Sequence, residues 1–110
     1  MLIACVRIVP LPERRKDILE ILRHAQSSVY LSTGCITCAI YEECDENSAI
    51  LYLETWRSQK ELHQHIQSPL YRQILIAMEM ALELPEVRFH DVANSQGMEL
   101  VETLRGCERS

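Results

Sequence analysis

Three short stretches of the chain carry residue types that do chemistry. "LETW" sets Glu54 and Trp56 two apart, "LHQH" sets His63 and His65 two apart, and "CITC" sets Cys35 and Cys38 three apart. Imidazole titrates close to neutral pH, which suits a histidine to general-base work. A carboxylate beside an indole reads two ways. It is a buried charge answered by Arg57, Arg72 or Arg88 in a structural bridge, or it is part of a site. A Cys-x-x-Cys is a redox dithiol where it opens a helix, half of a zinc site where a second ligand pair follows, and ordinary packing elsewhere. The elements that hold these residues decide among the readings.

Leu2 to Val9 alternate and are rich in β-branched types, which predicts a strand. "PLPERRKD" then opens a helix with Ile18, Leu22, Ala25 and Val29 at helical spacing, ending near Ser32, Thr33 and Gly34. "CITCAIY" and "AILYLETW", joined by the acidic "EECDENSA", predict a β-hairpin. "SQKE" matches a capping box, with Ser58 as N-cap and Glu61 three residues on, and starts a helix that carries Leu62 and Ile66. Ser68 and Pro69 break this helix and restart it, and Leu70, Ile74, Met78 and Leu82 continue the apolar stripe. "EVRFHDV" predicts a fourth strand and "GMELVETL" a short fifth one.

The order β-α-β-β-α-β is the ferredoxin-like arrangement of the α+β class: one antiparallel sheet with two helices on one face. The strands are nevertheless apolar on both faces. Leu51 and Leu53 alternate with Ile50, Tyr52 and Trp56, so the face without helices needs a second cover. The economical cover is another copy of the chain, giving a sheet-against-sheet homodimer.

Composition sets the remaining bounds. At 110 residues, 47% hydrophobic and 25% charged, the chain is expected to form one domain over 1–110. Residues 94–110 are expected to serve as a C-terminal extension or short edge strand. A net charge of −5 argues against nucleic acid as partner. The apolar start is interrupted by Arg7 and ends at Pro10, too short for a membrane span or an export signal. Five cysteines is an odd number, and with no export signal the expectation is reduced thiols in a cytoplasmic protein.

Within these elements the three stretches take on meaning. Cys35 and Cys38 sit in a strand, where side chains three apart point to opposite faces, so packing is favoured over a redox or zinc role. His63 and His65 do not share a helix face and make a poor metal pair. His65, near the break at Ser68, is placed to reach a ligand space, with a surface or structural histidine as the equal alternative. Glu54, Trp56 and Tyr52 share one sheet face. Trp56 there is a core residue or a wall for an aromatic ligand.

Taken together, "GCITCAIY", "LYLETW", "SQKELHQHIQSPLYRQIL" and "EVRFHDV" with "GMELVETL" resemble the antibiotic biosynthesis monooxygenase (ABM) domain over nearly the whole chain. The specific part is Glu-x-Trp followed by Ser58, His65, Ser68 and Tyr71. The resemblance implies a dimeric α+β barrel. It also implies oxidation of a small quinol or phenol with O2, using no metal, flavin or other cofactor. His65, Tyr71 and Glu54 are the catalytic residues this implies, and Trp56, Tyr52, Arg88 and Cys38 the substrate-binding ones, with Arg88 stabilising an anion. Haem-degrading relatives use an asparagine on the first strand, which "LIACVRIV" lacks. A non-enzymatic dimer that binds a small aromatic compound is the third reading.

Overall fold

The computed structural model describes residues 1–106. β1 (Leu2–Ile8) alternates in burial because its even-numbered residues Ala4, Val6 and Ile8 face the helices. After a 3-10 turn at Pro12–Arg14, helix α1 (Arg15–Tyr30) buries Ile18, Leu22, Ala25 and Val29, the stripe that the sequence spacing predicts. Gly34 then takes a left-handed φ of +88°, a conformation that costs glycine little, and lets the chain turn into β2 (Cys35–Glu42). β3 (Ile50–Trp56) buries every second residue: Ile50, Tyr52, Glu54 and Trp56.

Helix α2 (Gln59–Gln67) opens on the expected capping box. The Glu61 backbone N–H donates to Ser58 Oγ, and the Ser58 hydroxyl donates to the Glu61 carboxylate. The chain breaks at Ser68–Leu70 and resumes as α3 (Tyr71–Glu79), which buries Tyr71, Ile74 and Ala77. β4 (Glu86–Asp91) completes an antiparallel four-stranded sheet of order β2-β3-β1-β4. The ferredoxin-like α+β arrangement is therefore present, with α1, α2 and α3 packed over a core that includes Val6, Leu22, Tyr52, Trp56 and Ile74.

Two expectations are corrected. The segment expected as a fifth strand is helix α4 (Met98–Leu104), with none of its residues buried. Its apolar residues Met98, Val101 and Leu104 fall at three-residue steps, and Gly97 precedes them as N-cap, so the run carries a helical stripe. Cys35 and Cys38 also do not point to opposite faces. Cys35 opposes Trp56 while Thr37 opposes Thr55, so Ile36 is an extra residue in a β-bulge. The bulge restores the phase, and both cysteines face the helices with Trp56 and Glu54.

The opposite face of the sheet carries Ile3, Cys5, Leu51 and Leu53, all partly exposed, as well as Arg7 held by two hydrogen bonds of 2.8 and 2.9 Å to Glu43. This is the apolar second face expected from the strand pattern. No helix among the described residues is long and apolar enough to cross a membrane.

Candidate functional site

β3 positions the centre of the site. Its alternation sends Tyr52, Glu54 and Trp56 into the layer between sheet and helices, where Glu54 is 2% exposed and Trp56 fully buried. An ionised carboxylate at such depth needs several hydrogen bonds. Glu54 has three. The Tyr52 hydroxyl donates to Oε2 at 2.7 Å, the Trp56 indole N–H donates to Oε1 at 3.0 Å, and His65 Nε2 lies 2.9 Å from Oε2. Its ionisable partner is thus His65 and none of the three arginines considered. Arg57 pairs instead with Glu61 on the surface, at 2.6 and 3.1 Å.

Helix α2 supplies His65 on its buried side together with Leu62. A carboxylate only accepts, so Nε2 carries the proton in this bond and the neutral ring keeps Nδ1 as its acceptor. Trp56 stacks on the imidazole with ring centroids 4.7 Å apart, and Tyr71, at the start of α3, meets it edge-on at 5.3 Å. Ser68 closes the end of α2 by donating its hydroxyl to the His65 carbonyl at 2.6 Å. His65 is therefore fixed by its ring nitrogen, both ring neighbours and its own carbonyl.

Burial is the main electrostatic force here. It pushes the Tyr52 phenol well above its ordinary value, and the Glu54 charge adds to the effect. Tyr71 is raised for the same two reasons, burial first. The Cys38 thiol is pushed up to about 12 by burial, against a smaller opposing hydrogen bond with Tyr52, and Cys35 rises to about 11. Neither thiol is a ready nucleophile.

Two cavities flank the histidine. One of about 350 Å³ is lined by Leu31, Thr33, Trp56, Gln64, His65 and Ser68. A second of about 610 Å³ is lined by Ser68, Pro69, Tyr71, Arg72 and Leu75. Both border Ser68, and both fall within the size range of small-molecule sites. Among the described residues no group of three or more His, Cys, Asp and Glu is placed to hold a metal ion.

The structure brings His65, Tyr71, Glu54, Trp56, Tyr52 and Cys38 together, but not Arg88. Arg88 opposes Cys5 on β1, whereas Glu54 opposes Ala4, so Arg88 lies on the other face of the sheet. One-residue parity along β4 separates it from the site. His63, by contrast with His65, lines a third cavity of about 370 Å³ beside Leu2, Phe89 and His90. One contributor escaped sequence reasoning. Gln26 of α1 donates to the Cys38 carbonyl at 2.8 Å and ties β2 to the helix layer. Its only signal is a glutamine beside the buried stripe of α1.

Comparisons with known proteins agree with this architecture. The structure of Rv0793 from Mycobacterium tuberculosis superposes with a TM-score of 0.78 at 20% identity, over 87% of this chain and 98% of that one. A crystal structure of an antibiotic biosynthesis monooxygenase gives 0.75 at 15% identity, over 86% and 100%. A conserved protein from Methanosarcina mazei Go1 gives 0.74 at 22% identity, over 82% and 91%. At these identities the likeness is one of fold. The uncharacterized protein sll1783 of Synechocystis is 23% identical over 86 residues, and the matched region spans 77% of this chain but only 58% of that relative. The family model described as "Antibiotic biosynthesis monooxygenase" matches residues 1–75, a stretch that contains every site residue named above except Arg88, and the chain belongs to that family.

Proposed function

We propose that this chain is a monooxygenase that oxidises a small planar phenol or quinol with O2, without a metal or organic cofactor. The observation that carries the reading is the Glu54–His65 pair, 2.9 Å apart, with its imidazole between Trp56 and Tyr71 at the wall of a cavity. A carboxylate that holds one ring nitrogen orients the imidazole and fixes which nitrogen is left to accept the proton of a bound hydroxyl. The phenolate so formed is rich in electrons and reduces O2 directly. With a quinol, one oxygen atom is inserted at a ring C–H and the other leaves as water with two of the substrate's hydrogens, so that the product is a hydroxyquinone. Tyr71 and Trp56 supply the aromatic surfaces, and Arg88 has no part in this site.

The working unit is proposed to be a cytoplasmic homodimer formed through the face carrying Ile3, Cys5, Leu51 and Leu53, with its thiols reduced. A panel of benzo- and naphthoquinols in an oxygen electrode tests the activity. Trp56 is the only tryptophan, so quenching of its emission reports binding separately. Saturable quenching with no O2 uptake would replace the enzyme with the binding module. That alternative draws on one observation: His65 is only 5% exposed, which limits its contact with a bound hydroxyl.

A further inference from the structure

The buried hydrogen bonds do not end at Glu54. Cys38 on β2 donates its thiol hydrogen to the Tyr52 oxygen at 3.3 Å, and Tyr52 in turn donates to Glu54 Oε2 at 2.7 Å. His65 uses that same oxygen at 2.9 Å, while Trp56 takes Oε1. Two donors thus share one carboxylate oxygen. Tyr52 and Cys38 are both buried and, unlike Trp56 and His65, line neither of the two cavities beside the histidine.

We propose that Tyr52, backed by Cys38, is a positioning residue that acts on His65 through Glu54, drawing off part of the carboxylate's negative charge and so setting how strongly the pair holds its proton. The ionisable groups that feel the Glu54 charge are Cys35 and Cys38 from β2, Tyr52 from β3 and Tyr71 from α3, while Glu61 of α2, which lines the same cavity as His65, is paired with Arg57. Of these, only Tyr52 bonds to the carboxylate. Because its own proton is held far above neutral pH, Tyr52 remains a donor throughout the range in which a histidine titrates. The Cys38 thiol strengthens that donation by polarising the hydroxyl, since hydrogen bonds in a chain reinforce one another. The inference rests on the reading of His65 as the proton-accepting group.

The test is a pH titration of the imidazole ¹⁵N shifts in ligand-free protein, with the His65 signals assigned by their loss in His65→Gln. Tyr52→Phe removes one hydrogen bond to the anion and should raise the apparent titration midpoint of the Glu54–His65 pair by about one unit. Cys38→Ala should raise it less, with the same sign. An unchanged or lowered midpoint would overturn the proposal. Should Tyr52→Phe not fold, Cys38→Ala decides by the same criterion. The titration needs no substrate, so it fails or succeeds independently of O2 uptake.

Discussion

His65 Nε2 and Glu54 Oε2 stand 2.9 Å apart, each side chain 2% exposed, and together they tie helix α2 to strand β3. Glu54 is also the common acceptor for Tyr52 and Trp56. Glu54→Gln keeps the volume but replaces one acceptor oxygen with a donor, leaving at least one buried N–H or O–H without a partner. We expect it to destabilise the fold by about 3 kcal/mol, read from the urea midpoint at constant slope. A loss below about 1 kcal/mol, the size of an ordinary surface bond, would contradict the buried network.

The thiols should separate by reactivity. Cys44 is exposed and should be alkylated first in native protein, while buried Cys38, pushed up to about 12, should react last. Both Cys35 and Cys38 face the helices, but two residues' rise along the strand separates them by about 6.8 Å, at the limit of what a disulfide spans. Five free thiols are therefore expected after unfolding, the fifth being Cys107, which lies outside the described residues. Loss of two thiols without added oxidant would show that β2 deforms enough to bridge them.

Stability should fall in alkali before the native thiols ionise. The folded protein holds the Cys38 proton more tightly than the unfolded chain, whose thiol titrates near 9.0. That contribution is complete below 9.0 and is lost progressively as the pH rises towards about 12. Tyr52 acts in the same direction from its ordinary value of 10.0. Urea midpoints measured across this window should decline, and Cys38→Ser should decline less steeply. Equal slopes would mean that Cys38 is no better shielded in the folded state.

The open sheet face carries the proposed dimer. Leu53, set between Ala39 and Cys5 in the middle of that face, is the point where a charge would be most costly. Leu53→Lys should give a folded monomer in sedimentation where the parent chain gives a dimer. The cost is several kcal/mol for an unpaired buried charge. A parent chain that sediments as a monomer at micromolar concentration would remove the dimer from the account.

Much of this was legible in the sequence because it depends on local periodicity. The alternation of "LYLETW" places Tyr52, Glu54 and Trp56 on one face, and the capping box at Ser58 fixes where α2 begins. The parts that were not legible depend on contacts between distant segments. The pairing of Glu54 with His65 needs the angle at which α2 crosses β3, which no local pattern encodes. The bulge at Ile36 changes the phase of Cys35 with no glycine or proline inside β2 to announce it. Arg88 falls on the other face because its orientation follows from the register of β4 against β1, where a shift of one residue reverses every side chain. The α4 segment fits a strand as well as a helix on sequence, because seven mixed residues satisfy either period.

The most direct test of the central claim is the rate of O2 uptake with a quinol by the parent chain and by His65→Gln, each at a temperature where circular dichroism shows it folded. Glutamine can place an N–H near where Nε2 stands and keep the bond to Glu54, so folding is largely preserved, but it cannot accept a proton from substrate. His65→Ala would instead leave a buried carboxylate without its partner and confound stability with chemistry. The account predicts measurable turnover in the parent and a fall of about 10²- to 10⁴-fold in His65→Gln, with ligand quenching of Trp56 retained. Equal rates in the two proteins, or no uptake by the parent with any quinol that quenches Trp56, would contradict it.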